Sequence, residues 1–435
     1  MFNRRKLRRA LAPTADLGGS IVAATLGLAL LIGGLTLSFR TVATPVLAWV
    51  KAAWFTFVHS FGVTSAEYAN HLLGGALLIL GFVLTYVGIR SIMARLFRTL
   101  SPGAAGSVGA LYVRKQQLAQ GPKIVCLGGG TGLSTLLRGL KNYSSNITAV
   151  VTVTDDGGSS GRLSEELGII PPGDLRNCLV ALADAEKLMT DLFQYRFKGK
   201  RGSLSGHSLG NLLIAGLIEQ CGGDFERALN MASEVLAIRG RVMPSTLERV
   251  RLKALLEDGK EVFGETNIAA SGGRIRRIFM EPNNAHAFPD AIEAIREAEL
   301  VVMGPGSVYS SVIPNLLVPG IPEAIRDSRA TKAYICNVMT QPGESDSFTA
   351  AEHVLAIEAN VSHRLFDFVL VNNQLPSSNT LEKYRDKDQY PVEADVDRIR
   401  SMGFGIVRGE FMSESDYVRH DPSRMAEALI KLLNR

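Results

Sequence analysis

Apolar runs that fit buried β-strands alternate with helical patterns from residue 122 to the end of the chain. The strand candidates are Ile124–Leu127, Ile147–Val153, Ile275–Phe279, Leu300–Met303, Ala333–Val338 and Phe366–Val371. The helix candidates are Asp174–Lys187, Ser208–Gln220, Asp224–Ala237, Pro289–Glu297, Ala350–Glu358 and Pro422–Leu433. Continuous apolar strands separated by helices are typical of a parallel sheet covered on both faces. The pattern therefore predicts an α/β fold with a Rossmann-like, mostly parallel sheet, and a helical insertion over 174–257.

Two long runs without formal charge precede this domain, at 17–39 and 68–89. Each is long enough to cross a hydrocarbon layer of about 30 Å as a helix. A buried helix or, for the first run, a cleaved signal peptide is the alternative. Basic residues lie mainly outside the pair, before 17 and after 89, which by the positive-inside rule places both ends in the cytoplasm. The pattern predicts a two-helix transmembrane hairpin and a location in the cytoplasmic (inner) membrane.

The predicted organisation is thus a membrane anchor at 1–98, a linker at 99–121 and a cytoplasmic domain at 122–435. The linker is rich in Gly, Ala and Ser, a composition that gives flexible connections. Charge follows the same division: the net charge is +10 over 1–121 but +5 over the whole chain, which leaves 122–435 at −5. Because the basic excess belongs to the anchor, and the rest lacks a long basic run, we expect no nucleic-acid partner.

The four cysteines give no sign of a disulfide framework or a zinc site. All of them, Cys126, Cys178, Cys221 and Cys336, lie after residue 122, and none is paired at CxxC spacing. We expect them to be small packing residues.

A glycine turn follows the first strand candidate. It contains Gly128, Gly129, Gly130, Thr131 and Gly132, and an amphipathic run starts at Leu133. Strand, glycine turn and helix in this order bring backbone N–H groups and the positive end of a helix to a phosphate. The turn lacks the Gly-Lys-Ser/Thr of a Walker loop, and Leu133 replaces the third glycine of the dinucleotide fingerprint. A tight turn without a ligand is the alternative.

A second candidate turn follows the next strand and carries two carboxylates. It comprises Asp155, Asp156, Gly157, Gly158, Ser159 and Ser160. The carboxylates could bind a ribose hydroxyl or Mg²⁺, and the Gly-Ser run could hold an anion. A solvent-exposed Asp-Gly turn is the alternative.

Further polar residues stand at predicted helix starts and strand ends. Arg176 lies in a first helical turn, where it is poorly placed for the helix dipole, so we expect it to bind an anion. A third glycine turn, with Gly304, Gly306 and Ser307, is again suited to a phosphate. The other candidates are Asn177, His207 and Asn211. Glu344 in the MTQPGE segment is interpreted as a helix start.

Seven separated segments resemble the YvcK/CofD-like family: GGGTG, TVTDDGGSSG, PPGDLRN, LFQYRF, GHSLGN, GPGS and MTQPGE, in this order. The resemblance covers about 122–435 and is closer to the gluconeogenesis-factor (YvcK) branch than to the 2-phospho-L-lactate transferase branch. The first branch implies binding of UDP-sugars such as UDP-N-acetylglucosamine, with roles in cell-envelope regulation and carbon-source adaptation and no established reaction. The second implies transfer of a phospholactyl group from a guanosine dinucleotide to a deazaflavin, with Mg²⁺.

Carried over by motif, the resemblance implies that Gly128–Gly132 line a nucleotide diphosphate and that Asp155 and Asp156 face the phosphate or a metal. It adds Tyr384, which could stack on a base or sugar, and Arg419, which could pair with a diphosphate; a surface loop is the alternative for both.

The leading hypothesis is a membrane-tethered, non-catalytic UDP-sugar-binding regulator that needs no cofactor and has envelope-synthesis proteins and a second copy of itself as partners. The alternative is a Mg²⁺-dependent transferase of phosphorus-containing groups, with Asp155 and Asp156 as catalytic candidates. An NAD(P) dehydrogenase fits poorly because the strict fingerprint is absent.

Overall fold

The computed structural model describes residues 28, 32, 40–62, 65, 79, 82–83, 86 and 108–434, except 199–203, 362 and 415–416. The chain divides into two units, 1–110 and 111–435. Helix α1 (Arg40–His59) lies in the first unit, and helix α2 (Val108–Ala119) lies within the segment that the sequence predicts as a linker.

The second unit contains twelve described strands. They are β1 (Ile124–Gly128), β2 (Ile147–Val151), β3 (Arg241–Pro244), β4 (Arg251–Leu256), β5 (Glu261–Phe263), β6 (Ile275–Glu281), β7 (Leu300–Met303), β8 (Thr331–Ile335), β9 (Phe368–Asn372), β10 (Gly405–Gly409), β11 (Met412–Glu414) and β12 (Val418–His420).

The helices of this unit follow the strands in alternation over most of its length. They are α3 (Gly130–Leu140), α4 (Gly158–Leu167), α5 (Gly173–Leu182), α6 (Glu186–Gln194), α7 (Leu209–Gln220), α8 (Phe225–Leu236), α9 (Glu265–Ala270), α10 (Pro289–Glu297), a π-helix (Val308–Val312), α11 (Ile313–Leu316), α12 (Ile321–Asp327), α13 (Ala350–Val361), α14 (Ser378–Arg385), α15 (Val396–Ser401) and α16 (Pro422–Leu433).

Seven strands form one parallel sheet in the order β10-β9-β8-β7-β1-β2-β3. The central strands β1, β2 and β7 are buried along their whole length, which explains their unbroken apolar sequences. Helix α3 packs its buried leucines into this core. It also packs against α16 so closely that a Cβ on Gly139 would lie 1.9 Å from the carbonyl oxygen of Pro422. The predicted parallel α/β sheet is confirmed.

Two sequence interpretations of this unit are wrong. The candidate Ile275–Phe279 belongs to β6 of a separate antiparallel sheet, ordered β5-β4-β6, and not to the parallel sheet. From Arg277 to Glu281 the buried Ile278 and Met280 alternate with more exposed side chains, as expected for a strand with only one covered face. The register shift opposite Ile275–Arg277 interrupts this alternation. The region 174–257 was interpreted as helical without a clear strand, but it contains β3, an edge strand of the main sheet, and β4.

The predicted transmembrane hairpin is corrected. Within the described residues, no helix is both long and apolar enough to cross a membrane. The one long helix described before the second unit, α1, lies between the predicted spans and carries Lys51 near its middle and Pro45, and a charge at that depth is costly in hydrocarbon. The spans themselves, 17–39 and 68–89, fall almost entirely outside the described residues. The multi-pass inner-membrane location rested on this hairpin and is corrected with it.

Candidate functional site

Two of the predicted glycine turns meet at the carboxyl edge of the parallel sheet. The first follows β1 and the second follows β7, its neighbour in the sheet. A Cβ on Gly132 would lie only 2.3 Å from the carbonyl oxygen of Pro305, so the two turns are in backbone contact. The chain builds the sheet outward from β1 in one direction and then from β7 in the other. The turns therefore lie at the topological switch point, where open α/β sheets bind ligands.

A cleft of about 510 Å³ opens above this junction. The two glycine turns form part of its lining, the segment after β8 forms another part, and residues of α14 and β12 lie among the rest. The lining includes Gly129, Gly130, Thr131, Gly132, Thr135, Glu265, Gly306, Ser307, Ser310, Asn337, Gln341, Glu344, Tyr384, Tyr417, Arg419 and His420. Its volume lies within the range of roughly 300–1,000 Å³ that is usual for small-molecule sites.

The glycine turns present backbone to the cleft. Gly130 has a φ of +62° with no atom within 4 Å of a Cβ built on it, so a side chain there would be strained although there is room for it. In the second turn, the Gly306 N–H donates to Asn337 Oδ1 at 3.2 Å. The Ser307 hydroxyl oxygen accepts from the Ser310 N–H at 3.1 Å. This second turn is held by side-chain hydrogen bonds and does not depend on a ligand for its shape.

Tyr384 and Arg419 line the same cleft as the glycine turns. The Tyr384 hydroxyl accepts from the Val418 N–H at 2.8 Å, which ties α14 to β12. Arg419 is exposed, and its guanidinium carbon lies 5.7 Å from the centre of the Tyr417 ring. The structure thus places two tyrosines and an exposed arginine in the lining of the same cleft as the two turns.

The predicted pair Asp155 and Asp156 lines a second cavity, of about 320 Å³. Asp155 Oδ1 accepts from the Gly157 N–H at 3.0 Å. Asp156 Oδ1 accepts from the N–H and hydroxyl of Thr266, at 3.0 and 2.7 Å. The two carboxylates therefore engage different partners, and no group of three His, Cys, Asp or Glu in the described part of the chain is arranged to hold a metal ion.

Most of the remaining predicted site residues form a hydrogen-bonded network beside the cleft. Arg176 is buried, and its Nη1 donates to Ser208 Oγ at 2.6 Å and to Asn211 Oδ1 at 2.8 Å. The Ser159 hydroxyl lies 3.0 Å from His207 Nδ1 and accepts from Asn211 Nδ2 at 3.1 Å. These contacts link α4, α5 and the start of α7, and Arg176 also donates to Asn177 at 2.9 Å. In this structure Arg176 is engaged by neighbouring side chains, none of which is an anion.

The other candidates lie at element boundaries. Gly128 ends β1, and its carbonyl oxygen accepts from the buried Asn315 Nδ2 at 3.1 Å. The Gly304 N–H donates to the Leu127 carbonyl oxygen at 2.8 Å. Gly157 precedes α4, which Gly158 begins, and the Ser160 hydroxyl accepts from the Gly173 N–H at 2.9 Å. These residues position the cleft but do not line it.

Sequence reasoning missed a group of carboxyls around the cleft: Asp174, Glu265 and Glu344. Burial raises the pKa of Asp174 and of Glu344 to about 7, and the charge of Asp155 adds to the effect on Asp174. Burial, followed by the charges of Asp155, Asp174 and Glu344, raises the pKa of Glu265 to about 9. The Gly130 N–H opposes the shift at Asp174 by hydrogen bonding, so Asp174 supports the first glycine turn.

His420 is a second residue that the sequence did not single out. It lines the cleft, is buried, and within the described residues neither ring nitrogen has a hydrogen-bond partner. Burial lowers its pKa to about 4, so the imidazole is neutral at physiological pH. In the sequence, only the position of His420 directly after the candidate Arg419 could have indicated that it lines the cleft.

The raised carboxyl pKa values predict that stability falls as pH rises. Unfolded Asp and Glu titrate near pH 4, whereas folded Asp174, Glu344 and Glu265 titrate near 7, 7 and 9. Between pH 4 and 9 these three carboxyls bind more protons in the folded than in the unfolded state, so their contribution to the free energy of unfolding decreases as pH rises. Urea unfolding at pH 6 and pH 9 should show lower stability at pH 9, and Glu265→Gln should reduce the difference.

The control for this experiment is Glu293→Gln, which changes an exposed carboxylate on α10. It should keep the wild-type dependence on pH. An unchanged dependence in Glu265→Gln would contradict the assignment of the effect to the cleft.

Comparison with known proteins gives one consistent result. The family described as "2-phospho-L-lactate transferase CofD" matches residues 124–412. The chain is 47% identical to the gluconeogenesis factor of Bacillus subtilis over 317 residues. This alignment covers 73% of this chain and 99% of that protein. It is 48% identical over 309 residues to the gluconeogenesis factor of Halalkalibacterium halodurans, which covers 71% of this chain and 95% of that protein. The crystal structure of a upf0052 family member from Bacillus halodurans superposes with a TM-score of 0.68 at 47% identity, over 71% of this chain and 99% of that one.

Proposed function

This chain belongs to the CofD family and, within it, to the gluconeogenesis factors, and on that basis we propose that its cleft binds a nucleotide-diphosphate sugar such as UDP-N-acetylglucosamine. The observation that carries the proposal is the backbone contact between two glycine turns at the switch point of the sheet. The N–H groups of Gly130 and Gly306 bond to Asp174 and Asn337, so the other backbone N–H groups of the two turns would bind two adjacent phosphates.

The remaining lining suits the other parts of such a ligand. Arg419 is exposed and supplies a fork of donors that matches a diphosphate. The rings of Tyr384 and Tyr417 offer faces on which a base can stack. Asn337, Gln341 and the carboxyls supply hydrogen-bonding groups for sugar hydroxyls.

We propose a regulatory role in which the ligand is bound and not turned over. The support is the relatives' name, gluconeogenesis factor, which describes a factor and not a reaction. In this role the protein would report the supply of nucleotide sugars to partners in envelope synthesis and in adaptation to the carbon source. The same proposal includes that the protein forms a homo-oligomer and that it requires no cofactor.

A second candidate is a transferase of phosphorus-containing groups. It is favoured by the description of the matching family and by the carboxyls that surround the cleft. In such a transferase Asp155 and Asp156 would hold Mg²⁺, which would stabilise the negative charge of the phosphorus-containing group.

One experiment separates the two candidates. The full-length chain is mixed with UDP-N-acetylglucosamine, Mg²⁺ and candidate acceptors, while calorimetry follows binding and chromatography follows nucleotide release. Saturable binding without release is the expected result. Release of UMP or UDP that disappears in Asp155→Asn would establish the transferase instead, and the absence of any binding would overturn the proposed ligand.

A further inference from the structure

The lining of the cleft includes both groups that bind anions and carboxyl groups. The glycine turns and Arg419 provide N–H donors and a positive charge. Glu265 and Glu344 line the same cleft and are both partly buried. A ligand that fills the cleft therefore meets anion-binding groups with one part and carboxyls with another.

Glu344 is joined directly to the second glycine turn. The Ser307 hydroxyl donates to Glu344 Oε2, and the Ser307 hydroxyl oxygen in turn accepts from the Ser310 N–H. Burial raises the pKa of both carboxyls and hydrogen bonding to Ser310 opposes it, while the charge of Glu344 adds to the raised pKa of Glu265. Glu344 thus lies at the second glycine turn, and Glu265 lines the same cleft.

Neither carboxyl forms an ion pair with Lys, Arg or His in the part of the chain that the structure describes. The charges that act on Glu265 are those of Asp155, Asp174 and Glu344, all of the same sign. A carboxylate brought next to these groups would be repelled at short range in a partly desolvated site, whereas the diphosphate is held by the N–H groups of the glycine turns and by Arg419. A neutral hydroxyl group meets no such repulsion and can hydrogen-bond to a carboxyl in either protonation state.

We infer that Glu265 and Glu344 determine the specificity of the cleft, by binding the hydroxyls of a neutral sugar and excluding a sugar that carries a carboxylate. The inference rests on the proposed function and names the substrate class more narrowly. The diphosphate lies against the glycine turns, and the sugar lies towards the carboxyl pair.

The test compares two ligands that differ at a single carbon. UDP-glucose carries a CH₂OH group where UDP-glucuronate carries a carboxylate. Calorimetry on the full-length chain at pH 8 should show UDP-glucuronate binding at least about tenfold more weakly, because like charges brought together at a binding site are strongly unfavourable. Glu344, with a pKa of about 7, is mostly charged at pH 8, so Glu344→Gln should reduce this ratio most. Glu265, with a pKa of about 9, is mostly protonated, so Glu265→Gln should reduce it less, and the double variant should bring it below about threefold.

Glu293→Gln is the matched control, because it removes an exposed carboxylate on α10 that does not line the cleft. It should keep the wild-type ratio. Each variant's melting temperature and UDP affinity are measured alongside, so that a folding defect, which weakens all ligands alike, is distinguished from a change in the ratio.

The outcomes separate the inference from the proposed function. Equal affinity of the wild type for the two ligands would overturn the inference while leaving nucleotide-sugar binding in place. A wild-type ratio that persists in the double variant would also overturn it, since another group would then be responsible. If neither ligand binds, the proposed function fails and the inference fails with it.

Discussion

Gly132→Ala is expected to abolish measurable binding of UDP-N-acetylglucosamine and to lower the free energy of unfolding by about 1–3 kcal/mol. The added Cβ would lie 2.3 Å from the Pro305 carbonyl oxygen and 2.8 Å from its carbon, distances that force one turn away from the other. Because the two turns together form the proposed diphosphate site, a shift of this kind removes both halves of it. Calorimetry measures the binding and urea unfolding measures the stability.

The matched control is Gly216→Ala, in the interior of α7. A Cβ on Gly216 has no atom within 4 Å, and alanine in a helix interior is more stable than glycine by roughly 0.5–1 kcal/mol. This variant should bind as the wild type does and unfold at slightly higher urea. Normal binding by Gly132→Ala would show that the contact between the turns does not form the ligand site.

Arg419→Ala is expected to weaken UDP-N-acetylglucosamine binding by roughly 10- to 100-fold. Hydrogen bonds to charged groups contribute about 1.5–3 kcal/mol, and each 1.4 kcal/mol is a tenfold change in affinity. Since Arg419 is exposed and its described contact is with the Tyr417 ring, its loss should have little effect on folding. Calorimetry and a melting curve on the same sample check the two effects.

Arg329→Ala provides the control for this prediction. Arg329 is also exposed, but it lies two residues before β8 begins at Thr331 and so at the opposite edge of the parallel sheet. Its replacement should leave the affinity unchanged. Equally small losses of affinity in both variants would mean that Arg419 acts only through the long-range electrostatic potential of the protein and not by contact with the diphosphate.

The sheet could be predicted from the sequence wherever its strands are buried on both faces. Strands β1, β2 and β7 appear as short continuous apolar runs, a pattern that marks a central parallel strand. The edge strands β3 and β10 are short and include charged residues, so nothing in their sequences distinguishes them from loops. Strand β6 was assigned to the wrong sheet because the sequence does not say with which strand it pairs.

The glycine turns of the cleft were visible because glycine clusters after apolar strands are a local signal. Glu265 gave no such signal. It begins a helix of six residues between β5 and β6 of the small antiparallel sheet, and only tertiary folding brings it to the cleft. That Arg176 binds an anion stays a prediction; its Nη1 donates to Ser208 and Asn211, which come from a different helix start and which no local pattern around Arg176 indicates.

The transmembrane prediction depended on length and apolar composition alone. Helix α1, which the structure places between the two predicted spans, shows why a local apolar bias is insufficient, since Lys51 interrupts it near its middle. A hydropathy pattern shows how apolar a segment is, but not whether lipid or protein covers it.

Amide hydrogen exchange of the full-length chain, with and without UDP-N-acetylglucosamine, tests the central claim most directly. Bound phosphates should protect the backbone N–H groups of both glycine turns, at 129–132 and 306–307, and leave exchange in β10 at the far edge of the sheet unchanged. Protection of both turns at once is the result that the structure predicts. Saturable binding that protects neither turn would contradict the assignment of the diphosphate to the junction of β1 and β7.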